Sequence, residues 1–106
     1  MKGIYAILDE NNYNFDDLDN IVFKMIKKNI NIFQIRIKST FNDSHIKTIK
    51  KVKIVCDTHK STLVLNDNIN IVKELNIDGV HIGSNDIDIS SARNFLGGNK
   101  LIGVSC

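Results

Sequence analysis

The residues in this chain able to handle a charged ligand gather in a few places. Gln34, Arg36 and Lys38 alternate along one short segment, and Asn66-Asp67 closes the apolar run Thr62-Leu63-Val64-Leu65. His81, Ser84 and Asp86 lie in or after Gly79-Val80-His81-Ile82, and Ser105 closes the run from Leu101. Arginine and lysine are phosphate-binding types, and carboxylates suit hard cations. Every one of these residues falls at or near the carboxyl end of a predicted strand, the end of a parallel sheet where ligands and catalytic groups collect. Other reactive types carry less. His81 follows Val80 inside a buried strand and reads as a structural histidine rather than a general base. His45 and His59 fall on the second predicted helix without a functional signal, and Cys56 reads as helix packing rather than a nucleophile. No residue is assigned a catalytic role.

The elements that must position these groups follow from the apolar periods. Gly3 to Leu8 is a strand-type run closed by Asp9-Glu10-Asn11-Asn12. Phe15, Leu18, Val22 and Met25, joined by Ile21 and Ile26, recur at helical spacing, with Asn14 as N-cap. Acids at 16, 17 and 19 and lysines at 24, 27 and 28 complement the helix dipole. Ile32 to Lys38 alternates strictly, with Phe33, Ile35 and Ile37 on one face and Gln34, Arg36 and Lys38 on the other. A second helix is predicted from about Asn42 to Lys60, with Ile46, Ile49, Val52 and Cys56 on one face. Strand 62–65, a short helix around Ile71, Val72 and Leu75, and strand 79–82 follow. A helix from Ser90 to Leu96 turns Ala92, Phe95 and Leu96 inward and stops at Gly97-Gly98, and a fifth strand runs from Leu101 to Ser105.

The order β-α-β-α-β-α-β-α-β with short connections implies an α/β fold with parallel strands. An open doubly wound sheet buries both faces of its central strands under helices. Three long polar side chains on one face of the second strand are costly there. Pointed into the upper part of a barrel they converge on its mouth, so the pattern favours a (β/α)8 TIM barrel, of which residues 1–106 form a single partial domain, the N-terminal half. A formal charge of +2 over 106 residues, with lysines on helix faces and no aromatic platform among them, argues against nucleic acid. Two cysteines make no disulfide framework, and no segment approaches the ~20 apolar residues of a membrane span. The opening segment reads as no signal peptide, and a cytoplasmic location is expected.

With these features assembled, the chain resembles the thiamine-phosphate synthase and thiazole tautomerase family. The resemblance rests on GIYAILD at the start, QIRIK at 34–38, LND at 65–67, DGVHIGSND at 78–86 and IGVS at 102–105, in the family's order and spacing. It covers the whole chain and the amino-terminal half of the family's barrel. The resemblance implies a transferase of thiamine biosynthesis, which joins hydroxymethylpyrimidine diphosphate to thiazole phosphate and releases pyrophosphate. It implies Mg2+ as cofactor, held by Asp67 and Asp86. Arg36 and Lys38 would hold the diphosphate, and Gln34, Asn66 and Ser105 would supply polar contacts to substrate.

Departures from the family pattern are Ile37 in place of an acid, Asn68-Ile69-Asn70 after Asn66-Asp67, and Ser84-Asn85 before Asp86. The later strands of the family, with a lysine near the diphosphate and glycine-rich loops for the thiazole phosphate, have no counterpart in these residues. Three other readings remain at this point. One is thiazole tautomerisation, which has no use for a metal–diphosphate cradle. Another is a non-enzymatic half-barrel module that self-associates through open strand edges or pairs with a C-terminal half. The third is another phosphate-using barrel, such as an epimerase. Asp67 and Asp86 can also be read as ordinary loop acids, with Asp67 capping the helix after it.

Overall fold

The computed structural model describes residues 4–83 and 89–104. The elements are β1 (Ile4–Asp9), a 3-10 turn (Phe15–Asp17), α1 (Leu18–Lys27), β2 (Ile30–Arg36), α2 (Asp43–Thr58), β3 (Thr62–Asn66), α3 (Ile69–Glu74), β4 (Gly79–Ile82), α4 (Ile89–Leu96) and β5 (Leu101–Val104). The strands belong to one sheet in the order β1-β2-β3-β4-β5. The pairs β1/β2, β3/β4 and β4/β5 are parallel. Strand order thus follows chain order, as a barrel wall requires. By packing, the chain divides into two compact units, residues 1–63 and 64–106.

In the first unit Tyr5, Ile7 and Asp9 stand beside Ile32, Gln34 and Arg36, so these six share one sheet face. Ala6 and Leu8 pair with Phe33 and Ile35 on the other. That second face is the core: Leu8, Phe33 and Ile35 are buried with Leu18 and Val22 of α1 and Ile49, Val52 and Cys56 of α2. Asn14 caps the short 3-10 turn, and the α-helix proper starts only at Leu18. The second strand lies earlier than expected. It begins at Ile30 and ends at Arg36, so Lys38 does not share the strand face of Gln34 and Arg36. The reason lies in the hydrogen bonds: the Lys38 and Ser39 N–H groups turn to the carboxylate of Glu10 rather than extending the ladder.

Each helix ends on a left-handed residue: Asn29, Lys60, Asn76 and Gly97. After α2 the Lys60 N–H donates to Asp57 O and the Ser61 N–H to Cys56 O, the paired bonds of a Schellman stop. After α3 the same pair runs from Asn76 to Lys73 O and from Ile77 to Val72 O. Asparagine tolerates this conformation better than most residues, so it substitutes for glycine twice.

In the second unit Val64, Asn66, Gly79, His81, Leu101 and Gly103 share one sheet face by register, while Leu65, Val80 and Ile102 share the other. Leu65 and Val80 are buried, as are Ile71 and Val72 of α3 and Ala92 and Leu96 of α4. Phe95 does not turn inward as expected: it is 38% exposed, with the Lys73 ammonium 4.5 Å from its ring centre. Burial is not needed where a cation covers the ring face. Among the described residues no helix is long and apolar enough to cross a membrane.

Gly79 sits where β4 meets β5 most tightly. A Cβ there would lie 2.6 Å from the Leu101 carbonyl oxygen and 2.7 Å from its Cβ. Backbone cannot yield as a side chain can, so Gly79→Ala is expected to destabilise the fold by about 1–3 kcal/mol. Urea denaturation would register this as a lower midpoint with an unchanged slope.

Candidate functional site

The sheet face of Gln34 and Arg36 carries the first group of candidate residues. Gln34 is 3% exposed, and its Nε2 donates to the Tyr5 hydroxyl at 2.7 Å. That bond across β1 and β2 fixes which way the amide points. Arg36, at the end of β2, has a buried Nε with no hydrogen-bond partner among the described residues. A buried guanidinium nitrogen left unpaired is costly, and an anion at the strand end would relieve it. Lys38 lies beyond, exposed, in the loop to α2.

That loop is held by Glu10, the residue after β1. Glu10 Oε1 accepts from the Lys38 N–H at 3.0 Å and the Ser39 N–H at 2.8 Å. Its Oε2 accepts from the Ser39 hydroxyl at 3.0 Å and lies 3.2 Å from His45 Nε2. The His45 Nδ1 accepts from the Asn42 N–H at 3.1 Å, so its proton belongs on Nε2, facing the carboxylate. Asn42 in turn accepts from the His45 N–H, completing a capping box in which histidine stands where Glu or Gln is usual. The rings of Phe41 and Phe15 lie 5.3 and 6.5 Å from that of His45, centre to centre.

In the second unit Asp67 directly follows β3 in a left-handed conformation, φ 66°. Its N–H donates to the His81 carbonyl at 2.8 Å, its Oδ2 accepts from Asn66 Nδ2 at 3.0 Å, and its Oδ1 from the Gly83 N–H at 3.3 Å. The cap of α3 is not Asp67: the Asn68 side chain accepts from the Ile71 N–H. The ordinary capping role considered for Asp67 therefore falls to its neighbour. A Cβ on Gly103 would lie 3.1 Å from His81 Nδ1, so the half-buried His81 ring occupies the space that Gly103 leaves. Asp86 and Ser105 lie outside the described residues, as does Ser84. Among the described residues no three His, Cys, Asp or Glu side chains gather as a metal cluster.

Tyr5, Glu10 and His45 were not singled out by sequence reasoning. Glu10 carried a readable signal, since it follows a predicted strand just as Asp67 does. His45 carried one as well, standing three residues after an N-cap asparagine. Hydrogen bonds from Ser39, first from its N–H and then from its hydroxyl, hold the Glu10 carboxyl below its ordinary value; Lys38 and His45 add to this and burial opposes it. A lowered carboxyl stabilises the fold above the ordinary glutamate value, and that contribution disappears as pH falls through the lowered one. The Lys38 and Ser39 amide resonances are expected to stay in place from neutrality down to the ordinary glutamate range. They should then move together at lower pH, and Glu10→Gln should abolish that step.

Residues 4–106 match a family model described as thiamine monophosphate synthase. The chain is 35% identical over 105 residues to a thiamine-phosphate synthase of Pelagibacter ubique, covering 99% of this chain and 50% of that protein. It is 32% identical over 106 residues to the thiamine-phosphate synthase of Nitrosococcus oceani, covering 49% of it. Among solved structures, thiamine phosphate pyrophosphorylase from Pyrococcus furiosus superposes with a TM-score of 0.80 at 19% identity, over 98% of this chain and 50% of that one. The chain spans about half the length of the curated relatives it matches. The fold is the amino-terminal half of a TIM-type barrel, and the chain belongs to the thiamine monophosphate synthase family.

Proposed function

We propose that this chain forms the diphosphate- and magnesium-handling part of a cytoplasmic thiamine-phosphate synthase. The reaction would join hydroxymethylpyrimidine diphosphate to thiazole phosphate: the thiazole nitrogen attacks the pyrimidine methylene carbon while the carbon–oxygen bond to pyrophosphate breaks. Charge builds on the leaving diphosphate, so the protein's work is to neutralise it, orient two rings and exclude water. The observation that carries this reading is the buried Nε of Arg36 at the end of β2, which has no partner among the described residues. Its guanidinium would take diphosphate oxygens in fork geometry, with Lys38 adding a mobile charge. Gln34, turned by Tyr5, and Asn66 and Ser105 would orient the pyrimidine and its diphosphate.

The donor set also suits Mg2+. Asp67 is an exposed carboxylate at a strand end, and among the described residues each of its oxygens accepts one hydrogen bond, which leaves lone pairs for a cation. Mg2+ takes one or two carboxylates and fills the rest of its shell with water and phosphate oxygens, so three clustered protein ligands are not needed. Asp67 and Asp86 would hold the ion, which when bound offsets the negative charge of the diphosphate. These acids favour synthase over thiazole tautomerase chemistry, where no such charge needs offsetting.

A second reading, self-association or pairing with a C-terminal half, is favoured by apolar exposure on the sheet face away from the helices. Tyr5 and Ile7 of β1 are 43% and 46% exposed there, and Leu101 of β5 is 40% exposed. Sedimentation of the purified chain is expected to give more than a monomer, with Ile7→Lys restoring one; a monomeric unmodified chain would remove this reading. For the synthase reading, Mg2+ with pyrophosphate is expected to raise the melting temperature by about 2–5 °C. Arg36→Ala should diminish the shift and Asp86→Ala abolish it, while no shift in the unmodified chain would overturn the reading.

A further inference from the structure

Resting on the reading that Arg36 and Lys38 hold a diphosphate, we infer that Glu10 is a positioning residue for the loop after β2, acting on the ligand through Lys38. Glu10 grips the chain on both sides of Ile37. Its backbone N–H donates to the Arg36 carbonyl at 3.2 Å, and its carboxylate receives the Lys38 and Ser39 N–H groups. The remaining oxygen is taken by the Ser39 hydroxyl and by His45 Nε2. Four donors from two places in the chain, the loop and the first turn of α2, therefore converge on one side chain.

The arrangement has two consequences for an anionic ligand. Bonds to an ionised acceptor are stronger than neutral ones, so the backbone of residues 36–39 is held in one conformation and the lysine leaves the sheet from a defined point. The carboxylate is also occupied by its own donors, which reduces its repulsion of a diphosphate at the same strand end. Without Glu10 the loop samples other conformations, and the apparent dissociation constant rises in proportion as the competent fraction falls.

The test is calorimetric titration of the 106-residue chain with pyrophosphate in excess Mg2+, well below the unfolding temperature. Glu10→Ala is expected to weaken binding about fivefold to tenfold, close to the effect of Lys38→Ala. Glu10→Gln should stay within about twofold of the unmodified chain, because its Oε1 still accepts both loop amides. The double variant Glu10→Ala/Lys38→Ala should be no weaker than Lys38→Ala alone by more than about twofold, since the two act through one contact. If Glu10→Ala does not fold, Glu10→Asp, one methylene short of the loop, takes its place with the same expectations. Binding by Glu10→Ala that matches the unmodified chain, or losses that multiply in the double variant, would overturn the inference while leaving the functional reading intact. No binding by the unmodified chain would remove both.

Discussion

Two parallel strands cannot be joined by a tight turn, because the chain must travel back the length of the sheet before it can pair again. In this protein that return is made by a helix between each strand and the next. The helices need a partner surface, and in the first unit Leu8, Phe33 and Ile35 supply it from one sheet face. The opposite face is released from helix packing and can carry Tyr5, Gln34 and Arg36. Within each unit the paired strands run parallel and so end at the same side, where their strand-to-helix loops emerge. The concentration of polar chemistry at strand ends follows from that geometry before any particular ligand is considered.

Within this frame, the polar groups are constrained by each other as well as by the sheet. Gln34 is turned by Tyr5, Asn66 is tied to Asp67, and the loop bearing Lys38 is tied to Glu10. Arg36 is the exception, with a buried nitrogen that the described residues do not satisfy. One buried guanidinium nitrogen left unsatisfied by the described residues, on a half-buried side chain at a strand end, is the feature that supports the proposal of an anion there.

Much of the architecture was legible because it rests on periodicity. Strict alternation marked β2, and three- and four-residue spacing marked α1 and α2, though the ends of these elements shifted where capping competed. Asn14 was correctly read as an N-cap but opens a 3-10 turn, with the α-helix starting later. Lys38 was placed on the strand by alternation alone, a signal that cannot see a carboxylate 28 residues earlier capturing the loop amides. Phe95 was read inward from its spacing, whereas a lysine on another helix covers its face. Of the candidate site, Gln34, Arg36, Asn66 and Asp67 stand at or next to the strand ends where the sequence pattern placed them. Glu10 and His45 each carried a local signal, but their contact with one another and the hold of Glu10 on the loop join segments distant in sequence.

The left-handed backbone at Asp67 has a consequence for how this strand end can change over time. Positive φ is comfortable for glycine and tolerable for asparagine and aspartate, and it strains nearly everything else. Of those three residues aspartate alone brings a negative charge. Lineages that cease to need the charge can therefore drift here to asparagine or glycine with the turn intact, whereas lineages that need it have no acidic substitute, since glutamate lacks the same tolerance. Residue identity at this one position would then serve as a marker separating descendants that retain the chemistry from those that keep only the scaffold.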